Sequence, residues 1–131
     1  TYQLVKRGML VTAIDNGPMA ESLMDTGLVN HLMVDGFTWT PKQPVDWMVC
    51  DIVEKPARTA AMVETWIGDG HCREAVVNLK LPMKQRYAEV RRLLQRLEDG
   101  FAARKIKVSI ACKQLYHDRE EVTCHLRRLG K

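Results

Sequence analysis

K-I-K-V-S-I-A-C-K at 105–113 and E-V-T-C-H-L at 121–126 are two period-two runs only a few residues apart. In the first, Ile106, Val108, Ile110 and Cys112 alternate with Lys107, Ser109 and Ala111. In the second, Val122, Cys124 and Leu126 alternate with Glu121, Thr123 and His125. Side chains point to opposite faces along a strand, so each run predicts a strand with one apolar face. A parallel crossover needs a dozen or more residues, and the connection here is shorter, so the two strands must pair antiparallel.

Upstream, apolar runs and helical patterns alternate, the mark of an α/β domain with a mainly parallel sheet. Met9 to Ile14 reads as a strand, with Asn16-Gly17-Pro18 as a turn and a short helix from Met19 to Asp25. Val29 to Val34 is the next strand, stopped by Asp35-Gly36. Val45 to Cys50 is a buried strand, and Pro56 to Ile67 a helix ending at Gly68-Asp69-Gly70. Ala75 to Leu79 is another buried strand. From Lys84 to Phe101, Tyr87, Val90, Leu94, Leu97 and Phe101 recur at steps of three and four, predicting an amphipathic helix whose outer face carries Arg86, Arg91, Arg92 and Arg96. Thr1 to Arg7 enters helical spacing without a cap, which reads as a chain beginning inside an element.

The 131 residues are 46% apolar and 27% charged, enough for one core and one domain, 1–131, or part of one. No run of about 20 apolar residues and no leader-like start is present, so a cytoplasmic location without a membrane partner is expected. A net charge of +4 favours a polyanionic partner only modestly. Cys50, Cys72, Cys112 and Cys124 form no C-x-x-C pair and are expected to be reduced, mostly buried thiols. His31, His71, His117 and His125 form no metal-binding arrangement, and no metal is expected.

Ligands of open parallel sheets bind at the carboxyl edge of the strands. Asp15, Asp35, Asp51 and Lys80 each follow a predicted strand, so all four project at that edge. The last strand is reversed, which puts Glu121, at its amino end, at the same edge. Topology alone thus brings Asp51, Lys80 and Glu121 together. Strand ends are also polar simply because the chain leaves the core there. A lysine between two carboxylates can serve as a base only if it loses its proton, which its neighbours oppose and desolvation favours.

V-D-W-M-V-C-D (45–51), N-L-K-L-P-M-K (78–84) and Q-L-Y-H-D-R-E-E-V-T (114–123), with I-D-N-G-P-M (14–19) and V-D-G-F (34–37), closely resemble the ribosomal RNA large subunit methyltransferase M group. That group is FtsJ-type and S-adenosylmethionine-dependent, and it methylates the ribose 2′-oxygen of a cytidine in bacterial large-subunit (23S) rRNA. The resemblance runs from Thr1 to about Arg128. It implies a Rossmann-like class I methyltransferase fold, mostly parallel with an antiparallel last strand, of strand order 3-2-1-4-5-7-6 in the family's numbering. This chain would be the C-terminal part of that domain, lacking the first strand and its glycine-rich cofactor loop.

The family's catalytic tetrad is Lys-Asp-Lys-Glu. The resemblance carries its aspartate to Asp51, its second lysine to Lys80 and its glutamate to Glu121, while its first lysine would lie upstream. For S-adenosylmethionine it implies Asp15 at the ribose hydroxyls, Asp35 at the adenine, Phe37 against the ring and Asp51 near the methyl donor. The implied partner is large-subunit ribosomal RNA.

Other readings stay open. An acid ending a second strand also suits a nicotinamide ribose, so a doubly wound oxidoreductase is the enzymatic alternative, and it predicts a parallel final strand. A non-catalytic RNA-binding or scaffold remnant is the other. Trp47, Met48 and Trp66 read as core. The helix arginines read as a solvated face or as phosphate contacts, and His117-Asp118-Arg119 as a turn or an RNA contact.

Overall fold

The computed structural model describes residues 2–14, 21–51, 55–80, 86–113 and 121–129. These fall into two compact units, 1–40 and 41–131.

The first unit holds α1 (Tyr2–Lys6), β1 (Val11–Ile14), α2 (Glu21–Met24) and β2 (Val29–Leu32). β1 and β2 pair in parallel, with Val11 opposite Val29 and Ile14 opposite Leu32. Its small core is Val5, Ala13 and Val29, with Val11 and Leu28 packed against them. Both strands are shorter than the apolar runs that predict them, since Met9 and Leu10 stay exposed before β1 and Met33 and Val34 after β2. Asp15 lies outside the described residues.

The second unit holds β3 (Val45–Cys50), α3 (Pro56–Gly68), β4 (Cys72–Lys80), α4 (Arg86–Ala103), β5 (Val108–Lys113) and β6 (Glu121–Arg128). Its strands lie in the order β3-β4-β6-β5. β3 and β4 are parallel, whereas β6 runs antiparallel to both β4 and β5. The hairpin expected from the two C-terminal runs is therefore present. The antiparallel final strand is also the feature that a doubly wound oxidoreductase lacks.

Period two divides the faces of this sheet. Met48 and Cys50 of β3, Ala75, Val77 and Leu79 of β4, and Val122, Cys124 and Leu126 of β6 are buried. α3 packs on β4, and α4 packs on α3 and β5. The helices add Val63, Trp66, Ile67, Leu93, Leu97 and Phe101 to the core. At the C-terminus of α3, Gly70 takes a left-handed φ of 79°. There its N–H reaches the Ile67 carbonyl and the N–H of His71 that of Trp66, which closes the helix as the Gly68-Asp69-Gly70 run predicts.

Four expectations need correction. Tyr87 is 76% exposed and Leu93 fully buried, so the apolar stripe of α4 runs through Leu93, Leu97 and Phe101. Leu97 and Phe101 keep their expected places, and Leu93, a four-residue step before Leu97, carries the stripe towards the N-terminus in place of the half-buried Leu94. Trp47 is 46% exposed, because it shares a strand face with Asp51 and not with Met48; it stacks on His125 of β6, centroids 5.6 Å apart. Cys112 and Cys124 form a disulfide. They stand directly opposite in the β5–β6 ladder, the one cysteine pair that strand pairing brings face to face among the described residues. Finally, β4 begins at Cys72 and includes Lys80, since β3 pairs Val45 with Cys72 at one end and β6 pairs Glu121 with Lys80 at the other.

Candidate catalytic site

β3 and β4 point their carboxyl ends to one edge, and β6, being antiparallel, brings its amino end there. Asp51 leaves β3 at that edge, next to the end of β4. Lys80, the last residue of β4, donates from Nζ to Asp51 Oδ1 at 2.8 Å. The pair is asymmetric in exposure: the lysine side chain is 28% accessible, the aspartate 64%. In the ladder Lys80 stands opposite Glu121, whose backbone position alone is described. Asp51, Lys80 and the Glu121 backbone are therefore neighbours on three strands.

Two further residues belong to this cluster. Asn78 lies two positions before Lys80 and Thr123 two positions after Glu121, so all four share a face, and Asn78 and Thr123 are themselves opposite one another. Thr123 Oγ1 donates to Asn78 Oδ1 at 2.7 Å. The lysine's hydrogen bond foremost, and then that of the Asn78 side chain, hold the Asp51 carboxyl below its usual range, against a smaller opposing effect of burial. Both residues lie within the motifs quoted above. The signal that would have found them is period two, counted from Lys80 and from Glu121.

Chemically, the cluster is an ionised carboxylate holding an ammonium at a sheet edge. Such a lysine gives up its proton only if the carboxylate's hold is relaxed or the site is dried. Among the described residues no group of three His, Cys, Asp or Glu could hold a metal ion, and no helix is long and apolar enough to cross a membrane.

In the first unit, Asp35 opens the turn after β2. Its Oδ1 accepts the Phe37 N–H at 2.9 Å, and its carbonyl accepts the Thr38 hydroxyl and the Trp39 N–H. This Asx turn fixes the carboxylate at the carboxyl end of β2, with the half-buried Phe37 ring two residues on.

Among solved structures, the fold is similar to the delta-N METTL16 methyltransferase domain, with a TM-score of 0.63 at 12% identity over 99% of this chain and 67% of that one. It is also similar to Aeropyrum pernix fibrillarin, solved with S-adenosyl-L-methionine natively bound, with a TM-score of 0.57 at 14% identity over 88% of this chain and 54% of that one. The fold is thus the Rossmann-like one of S-adenosylmethionine-dependent methyltransferases. No family model matches the chain. The ribosomal RNA large subunit methyltransferase M of Pseudomonas putida (strain W619) is 87% identical over 98% of this chain and 36% of its own length. That of Pseudomonas fluorescens (strain SBW25) is 85% identical over the same shares. By sequence, the chain is a close relative of the ribosomal RNA large subunit methyltransferase M proteins over the roughly one third of their length that it spans.

Proposed function

We propose that these 131 residues are part of the catalytic domain of an S-adenosylmethionine-dependent methyltransferase that modifies the ribose 2′-oxygen of a cytidine in large-subunit rRNA. The observation that carries this reading is the Lys80–Asp51 contact at the edge where β6 delivers Glu121. The close sequence relationship supports it. A scaffold role leaves that convergence of charged groups without a purpose.

S-adenosylmethionine supplies, when bound, an electrophilic methyl group on a sulfonium. The donor set of the first unit fits its adenosine: Asp35 is a carboxylate acceptor held by an Asx turn, with the Phe37 ring close along the chain. Asp15 is proposed for the ribose hydroxyls. Asp51, an anion, suits the neighbourhood of the positive sulfonium.

A ribose hydroxyl is a weak nucleophile until its proton is being removed. Lys80 first gives up its own ammonium proton to solvent as it leaves Asp51, and the resulting neutral amine then accepts the hydroxyl proton. Asp51 orients the lysine beforehand, and Glu121 orients it from the opposite strand. In-line attack then depends on holding the oxygen close to the methyl carbon, which is the positional part of the rate.

The test is Lys80→Arg in the full-length protein. Arginine keeps the charge and most of the length but cannot lose a proton at working pH. Single-turnover methylation with RNA and cofactor saturating is expected to fall by roughly 10²–10⁴-fold, the range for a lost general base. Glu121→Gln is expected to slow the same step while binding persists. A Lys80→Arg rate within a few fold of wild type would reduce Lys80 to a phosphate contact or a strand-end residue.

A further inference from the structure

Tyr87 is 76% exposed on α4, a helix whose apolar stripe otherwise faces the core. An aromatic ring left in water forgoes the burial that makes it useful to a core. One turn further on, the Arg91 guanidinium carbon lies 5.9 Å from the centroid of the Tyr87 ring. Residues four apart are neighbours on a helix surface, so ring and guanidinium make one exposed platform. Arg92 is taken by Glu89, at 2.6 Å, whereas among the described residues no carboxylate pairs with Arg91. The charges of α4 also run against its own dipole, which favours acids near the N-terminus and bases near the C-terminus. Arg86, Arg91, Arg92 and Arg96 fall in the first three turns, with Glu89 the one acid among them. Glu98 and Asp99 come near the end, and the last turn holds no base. That order does nothing for the helix, and it gathers positive charge at the end of α4 that follows Lys80. Only residues 81–85 separate Lys80 from α4, so the backbones of Lys80 and Arg86 lie within roughly 22 Å of each other.

We propose that Tyr87 and Arg91 form a docking platform for an unpaired stretch of the RNA substrate beside the target nucleotide. A base stacks on the Tyr87 ring, and the Arg91 guanidinium holds the adjoining phosphate. The inference rests on the reading of the protein as an RNA methyltransferase and adds to it the place and the kind of contact. Stacking on an exposed ring needs a base that is outside a duplex, which selects single-stranded RNA over a helix. Arginine supplies the complementary charge, and its planar group stacks as well as pairs. A polynucleotide with one ribose at Lys80 has neighbouring nucleotides on both sides, and α4 starts close enough to meet them.

The experiment measures binding of protein-free large-subunit rRNA to the full-length protein, without cofactor, at several salt concentrations. Tyr87→Ala is expected to weaken binding about tenfold, the effect of losing one stacked base, and Tyr87→Phe, which keeps the ring, to restore it. Arg91→Ala is expected to weaken binding and to flatten the slope of log affinity against log salt by roughly 0.7, the share of one phosphate contact on a single strand. Tyr87→benzoylphenylalanine, irradiated in the complex, is expected to cross-link to the RNA. Both side chains are exposed, so the variants are expected to unfold at the urea midpoint of the wild type. Tyr87→Ala binding within twofold of a wild type that itself binds overturns this inference alone. A phenylalanine variant as weak as alanine, or a cross-link into the protein instead of the RNA, overturns it too. A wild type without measurable affinity for that RNA overturns the functional reading together with it. If Lys80→Arg keeps its methylation rate while Tyr87→Ala still weakens RNA binding, the base assignment fails and the platform stands.

Discussion

At the scale of single residues, ionisation in this protein follows local surroundings. Cys72, 2% exposed at the start of β4, is pushed up from 9.0 to about 11 by burial, which disfavours the thiolate. A raised folded-state value means that the folded chain holds its proton longer than the unfolded one. The corresponding stability is complete below about pH 9 and is lost as pH rises to about 11. Replacing Cys72 by alanine is expected to remove ~2–3 kcal/mol of the alkaline loss, read as the difference between the two proteins' urea unfolding curves at pH 8 and pH 11. Native Cys72 is also expected to resist iodoacetamide at pH 8 and to react on unfolding. Asp51 runs the opposite way: its lowered value favours the folded state above the ordinary carboxylate range and is lost as pH falls through it. Its exposure keeps that contribution small.

At the scale of elements, two helices end in the same way with different residues. After α4, the N–H of Lys105 bonds the Ala102 carbonyl and that of Ile106 the Phe101 carbonyl, repeating the closure at Gly70 after α3. Lys105, however, sits at φ 57°, where a Cβ is crowded. Lys105→Gly is expected to stabilise by about 0.5 kcal/mol, the relief of that crowding less the added freedom of the unfolded chain. Gly70→Ala is expected to destabilise by about 1 kcal/mol for the converse reason. Urea midpoints at unchanged m-value measure both. In the β5–β6 hairpin, the Cys112–Cys124 bond closes a loop of sequence separation 12. Its reduction is expected to cost about 3 kcal/mol on loop entropy, measurable as a lower urea midpoint with reductant and absent in a Cys112→Ala, Cys124→Ala protein. Peptide mapping without reductant should find the linked pair.

At the scale of the whole molecule, the 131 residues span 36% of the relatives' length, and the cofactor contacts proposed here are few. The isolated stretch is accordingly expected to bind S-adenosylmethionine at least tenfold more weakly than the full-length protein, by calorimetric titration. Within the full-length protein, Asp15→Ala is expected to weaken cofactor binding by about 1.5–3 kcal/mol, the loss of an ionised acceptor, with RNA affinity nearly unchanged. The α/β class, the antiparallel last pair, β3 and the three strand-end residues Asp51, Lys80 and Glu121 were legible in the sequence. Side-chain periodicity and connection length are local properties, and they suffice to say which ends of which strands meet. The roles given to those residues came from the resemblance and not from the pattern. What required the tertiary structure is whatever depends on register between strands distant in sequence. The pairing of Lys80 with Glu121 and Asn78 with Thr123, the meeting of Cys112 with Cys124, and the stacking of Trp47 on His125 are all of this kind. A run of alternating residues determines its own faces, but which residue stands opposite which is decided only when the sheet assembles around a shared core.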